Sequence, residues 1–282
     1  MRAKSMAKRL SAVWVFSLLT LSSLALSAAC FAERVMSEVF AAHPFSHHVW
    51  HEVLSTYVDD GGRVSWVSLR GHPRRLMVYL KQIALVSPIN HPEDFPSRDH
   101  QLAYWLNIHN AIALKQILDA YPVERIEEIP AYWTLKRYVV GGEKMSLEDI
   151  QAQVLSFQKT RPWAILALSD FSTGSPPVWH HAYDGARLRR DLPHKLENAV
   201  LINENPKQCG VIQLPLLAIY KHHGDLGDSI LSPPSWQQYL SVVLAGLPGE
   251  LQAKLKKPCP GNRRKVQLVP LQRMLREPLV QE

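Results

Sequence analysis

The apolar positions along the chain alternate between helical spacing and short, turn-bounded segments. Val49, Trp50, Val53, Leu54 and Tyr57 recur at helical spacing behind Ser46, which is placed to cap them. Asp59-Asp60-Gly61-Gly62 then stops that helix and turns the chain into a short strand over residues 63–67. Pro73 opens the next helix, with Leu76, Tyr79, Leu80 and Ile83 on one face. The longest helical pattern covers residues 99–121 and ends at Pro122. Residues 137–145 read as a tight hairpin, because Gly141 and Gly142 supply the positive φ angles that a two-residue turn requires. Ser146 followed by Asp149 is a capping-box variant that starts another helix. The continuous apolar run 163–168 fits a buried strand, and 214–222 and 236–247 return to helical spacing.

The middle of the long helix, residues 103–114, is apolar on nearly every side, which marks a buried central helix. Asn107 and Asn110 interrupt it three residues apart and so share a face. Buried amides are costly unless hydrogen-bonded, so the favoured reading is that both tie the helix to neighbouring backbone. The alternative has them lining a pocket and orienting a ligand. These elements predict an α+β fold: a mainly helical single domain with a buried central helix and a small antiparallel sheet.

The beginning of the chain changes how composition is read. Arg2, Lys4, Lys8 and Arg9 precede an uncharged stretch, residues 10–32, that closes on small residues and offers cleavage after Ala29 or after Ala32. That is the layout of a secretory signal. Residues 1–32 are therefore read as a signal peptide and 33–282 as a single globular domain, periplasmic or secreted from a bacterial-type cell. Lipid on Cys30 would make the protein a lipoprotein, but Leu26 stands one position too far from that cysteine for the usual signal. A third reading, an uncleaved anchor, fits the length of the stretch but sits poorly with its many Ser and Ala residues.

With the leader removed, the net charge of +7 falls to +3, from 28 basic and 25 acidic residues. A nucleic-acid partner loses its main support. The remaining basic residues near the end, Lys254 to Arg276, read as a solvated face, with a surface that touches anionic lipid or polysaccharide as the sharper alternative. If Cys30 is removed or lipid-modified, Cys209 and Cys259 are left as a pair in an oxidising compartment, where they are expected to be bridged.

Other chemistry is weakly marked. His47 and His51 stand four apart on a helix, but no metalloprotease motif surrounds them, and His180-His181 and His222-His223 are adjacent pairs that diverge. The sequence has no P-loop, dinucleotide fingerprint or G-x-S-x-G elbow. The expectation is no metal and no cofactor.

Tyr104-Trp105-Leu106-Asn107-Ile108-His109-Asn110-Ala111 resembles the F-W-I-N-x-Y-N-A signature of domain of unknown function 547, DUF547. Further segments agree in the same order: Tyr57-Val58-Asp59 through Val64, Tyr121-Pro122-Val123, the glycine hairpin with Ser146-Leu147-Glu148-Asp149-Ile150, Ser175-Pro176-Pro177-Val178, and Leu214-Pro215 with Tyr220. The resemblance runs from about His48 to Gly227. It implies a cleft where relatives carry two cysteines and two histidines, the usual makeup of a thiol hydrolase or transferase. Here the cysteine positions hold Asp170 and Ser175, and the histidine positions hold Ala152 and Ile165.

Two functions follow. The favoured one is a non-catalytic envelope domain that binds a peptide, glycan or protein through the inherited cleft and meets a membrane only through its leader or a lipid on Cys30. The alternative is a hydrolase or acyl transferase with Ser175 as nucleophile and His180, His181 or a distant histidine as base.

Overall fold

The computed structural model describes residues 45–157, 160–161, 164–172 and 175–192, together with strand segments at 201–205, 208–214 and 266–268. The chain divides into two compact units, Met1–Phe45 and Ser46–Glu282, and the elements below belong to the second. Five helices are described: α1 (His48–Tyr57), α2 (Trp66–Gly71), α3 (Arg74–Leu85), α4 (Arg98–Ala120) and α5 (Leu147–Leu155). Tyr138–Val140 (β1) and Glu143–Met145 (β2) form an antiparallel hairpin, with Tyr138 opposite Met145 and Val140 opposite Glu143. A second sheet is mixed: β3 (Leu201–Asn205) runs antiparallel to β4 (Gln208–Leu214), and β5 (Val266–Leu268) joins β4 in parallel. The fold is mainly helical α+β, as the pattern predicts.

The core is assembled around α4, in which every residue of 102–114 is buried. Ser97 caps this helix, its Oγ accepting the His100 N–H. The Tyr104 hydroxyl donates to the Val86 carbonyl at 2.8 Å and so fastens the chain leaving α3 to the central helix. α1 lies along α3, where Trp50 stacks on Tyr79 with ring centroids 5.8 Å apart. The hairpin docks on the end of α3: the Gly141 N–H donates to Ile83 O at 2.8 Å and the Gly142 N–H to Ala84 O at 2.9 Å. Two carbonyls that a helix C-terminus leaves unpaired are thereby satisfied. Gly141 has φ of +56°, and a Cβ there would lie 2.1 Å from Ser87 Oγ, so both backbone angle and space require glycine. The capping box of α5 is formed, with Ser146 Oγ accepting the Asp149 N–H and Asp149 Oδ2 accepting the Ser146 N–H.

Several elements differ from the sequence reading. Residues 63–67 are not a strand: Val58 and Val64 make one isolated bridge, and Trp66 already begins α2. Both Trp66 and Leu69 are buried while Ser68 is exposed, a three-residue spacing that only a helical turn delivers. The apolar run expected as a strand contains instead a 3-10 turn, Ala164–Ala167, whose end residues eclipse one another and are both buried. His47, not Ser46, is the N-cap of α1, although Ser46 Oγ accepts the His48 N–H at 3.2 Å. Leu214 closes strand β4 rather than opening a helix. The rest of that expected helix and the one at 236–247 lie outside the described residues.

Candidate functional site

Asn107 and Asn110 point from α4 at the loop that follows the 3-10 turn, and each grips backbone with both ends of its amide. Asn107 Nδ2 donates to Tyr183 O at 2.8 Å while its Oδ1 accepts the Tyr183 N–H at 2.9 Å. Asn110 Nδ2 donates to Ala167 O at 3.0 Å while its Oδ1 accepts the Ser169 N–H at 2.9 Å. The structural reading of the two amides holds.

What they position is a buried polar loop. Ser169, Asp170, Ser172 and Ser175 are all at most 2% exposed. Ser175 Oγ accepts the Asp170 N–H at 3.0 Å, lies 3.3 Å from Ser169 Oγ and donates to Pro176 O at 3.4 Å. Asp170 Oδ1 accepts from both the Ser172 N–H, at 2.9 Å, and the Ser172 hydroxyl, at 2.6 Å. Ser169 Oγ accepts the Phe171 N–H at 3.1 Å. These bonds hold Phe171 at φ of +62°, a region that costs a non-glycine residue about 1–3 kcal/mol, while its ring is buried edge-on against Trp66 at 5.9 Å. Burial first, and the Asp170 charge second, raise the Tyr132 hydroxyl well above its ordinary pKa.

The Pro-Pro segment closes the loop against the start of the domain. Gly62, at φ of +72°, lies so near that a Cβ would sit 2.7 Å from Pro177 Cβ and 3.0 Å from Val178 O. Beyond it the chain surfaces as Trp179-His180-His181. His180 Nδ1 lies 3.1 Å from Asp60 Oδ1, and His181 packs on Trp179 with centroids 4.5 Å apart. The Trp179 ring also contacts Tyr183 at 5.5 Å.

Ser175 is therefore brought together with Asp170, so the two positions where the resemblance implies cysteine are neighbours. His180, one of its proposed bases, is half-exposed and engaged with Asp60. Ala152, where the resemblance implies histidine, is exposed on α5. His47 bonds to Tyr79 rather than standing open with His51, and His48 faces Glu52 at 3.5 Å. Among the described residues no group of three His, Cys, Asp or Glu side chains is arranged to hold a metal ion.

Two features went unread in the sequence. His109 is fully buried, its Nδ1 3.2 Å from Asn110 Oδ1 and its ring stacked on Trp133 at 6.2 Å. Asp99, in the first turn of α4, accepts two bonds from Arg161, at 2.8 and 3.1 Å, and one from Arg189 Nε at 2.6 Å. The first could have been suspected from a histidine inside an apolar run. The second joins residues 62 and 90 positions apart and leaves no local mark.

Residues 93–198 match the family model described as "Protein of unknown function, DUF547". The match spans α4, its two asparagines and the whole polar loop. No curated protein matches the chain, and no solved structure matches it.

Proposed function

We propose that this is an exported envelope protein whose DUF547 domain binds a peptide, glycan or protein partner without covalent catalysis. The observation that carries the reading is the use made of Ser175 and Asp170. Both are at least 98% buried, and their polar atoms satisfy the backbone and side chains of their own loop. A nucleophile must reach a substrate atom and pass its proton to a base. Ser175 instead accepts a backbone N–H and donates toward Pro176 O. The export half of the proposal rests on the charged and apolar leader.

The test uses full-length protein made in an export-competent bacterium. A serine-reactive fluorophosphonate should leave the wild type unlabelled, and Ser175→Ala should change no partner binding. Labelling at Ser175 that disappears in the alanine variant would replace this proposal with the hydrolase reading. Intact mass of the purified protein should begin between Cys30 and Glu33, and Met1 retained on cytoplasmic protein would refute export. A bridge between Cys209 and Cys259 belongs to the same proposal; Cys259 lies outside the described residues, and alkylation before and after reduction decides it.

A further inference from the structure

His47 sits where three parts of the domain meet. It is the N-cap of α1, and its ring lies 6.0 Å from Tyr79 of α3 and 6.0 Å from Tyr104 of α4. Its Nδ1 is 2.7 Å from the Tyr79 hydroxyl, a length at which the neutral ring accepts the phenolic proton. The neighbouring side chains do little to welcome a second proton. Tyr79 and Tyr104 are neutral phenols whose own pKa values are raised, chiefly by burial. On its own helix His48 and His51 are potential cations, and Glu52 is paired with Arg75 at 3.1 Å. The open amides at the start of α1 also repel positive charge. Asp184, from the loop beyond the Pro-Pro segment, favours protonation, and burial outweighs it.

We propose that His47 is an acid-released latch: neutral, it pins the first turn of α1 to Tyr79, and protonation frees that turn from α3 and α4. The latch would expose Trp50, which is fully buried one turn further on and stacked on the same Tyr79. The device stands independently of the export reading and of any role for Ser175.

The folded ring titrates at about 3, against 6.5 when it is open to water. The folded state therefore resists a proton that the opened state takes up, and opening is favoured progressively as pH falls below 6.5. From the ratio of the two binding polynomials, the opening equilibrium should rise about 30-fold between pH 7.5 and pH 5.

The experiment is amide hydrogen exchange of residues 50–54 in the full chain at pH 5 to 7.5, corrected for the intrinsic pH dependence of exchange. The expected result is that rise in wild type and a flat profile in His47→Gln, whose amide oxygen still accepts from Tyr79. An equal rise in the variant, or none in wild type, overturns the proposal. A second measurement needs no variant. The 13C shift of His47 Cε1 should stay at its neutral value down to pH 4.5, and a ring that titrates between pH 6 and 7 in the folded protein overturns it as well.

Discussion

Replacing Asn107 by alanine removes both hydrogen bonds to Tyr183, leaving a buried N–H and a buried C=O without the side chain that satisfied them. A buried backbone group left unmatched costs about 1–3 kcal/mol, so the loss should be about 3–5 kcal/mol, out of a total stability of about 5–15 kcal/mol. The same change at Asn110 should cost a comparable amount, because it takes the acceptor from both the buried Ser169 N–H and His109 Nδ1. Its second partner, Ala167 O, also accepts from the Tyr183 hydroxyl at 3.3 Å. The assay is urea unfolding followed by tryptophan fluorescence, comparing midpoints at equal slope. Asn107→Asp sharpens the test. The near-isosteric carboxylate can still accept the Tyr183 N–H, but its other oxygen meets the Tyr183 carbonyl unless protonated. The folded state should thus raise that carboxyl's pKa, so the interaction is present below the unfolded value of about 3.9 and lost as pH rises through the folded value. Relative to wild type, the aspartate variant should therefore recover as pH is lowered from 7 to 4. Asn107→Ala within 0.5 kcal/mol of wild type would refute the reasoning, a margin set by the scatter of surface substitutions, about 0.5 kcal/mol.

Asp99→Ala should cost about 3 kcal/mol in thermal or urea unfolding, since it leaves the Arg161 guanidinium, 17% exposed, without its carboxylate. Arg189→Ala should cost under about 1 kcal/mol, because that side chain is 77% exposed. Gly62→Ala should cost about 2–3 kcal/mol by the same assay, from a positive φ and a 2.7 Å approach to Pro177 together. Ser146→Ala should cost about 1 kcal/mol and fray the first turn of α5, visible as faster amide exchange at Asp149. Global stability should decline in acid in two stages. Below pH 6.5 the unfolded chain binds a proton that folded His47 refuses, and below about pH 4 Asp149 adds its loss, because the Ser146 N–H holds its folded pKa below the ordinary value. His47→Gln should remove the first stage from a pH series of urea midpoints and leave the second.

The sequence alone determined the parts whose physics is local. The glycine hairpin, the Ser146–Asp149 box and the helix behind Pro73 follow from positive φ, side-chain capping and one apolar face, all readable within a few residues. The burial of α4 was legible because it is apolar all round, and the cost of a buried amide foretold that Asn107 and Asn110 would seek backbone partners. Which backbone they would grip was not legible, since Tyr183 is 76 residues from Asn107 and no local rule spans that distance. Short apolar runs were the weak point, because around Trp66 and over Ala164–Ala167 a run of a few apolar residues does not by itself separate a helical turn from a strand until it is known which of them are buried. The site followed the same division. Sequence flagged Ser175 and Asp170 by their departure from the family, but only the tertiary structure turned them inward onto their own loop, buried Asp99 between two arginines and set His47 against two tyrosines. Those outcomes depend on which surfaces exclude water together, a property of the packed chain and not of any stretch of it.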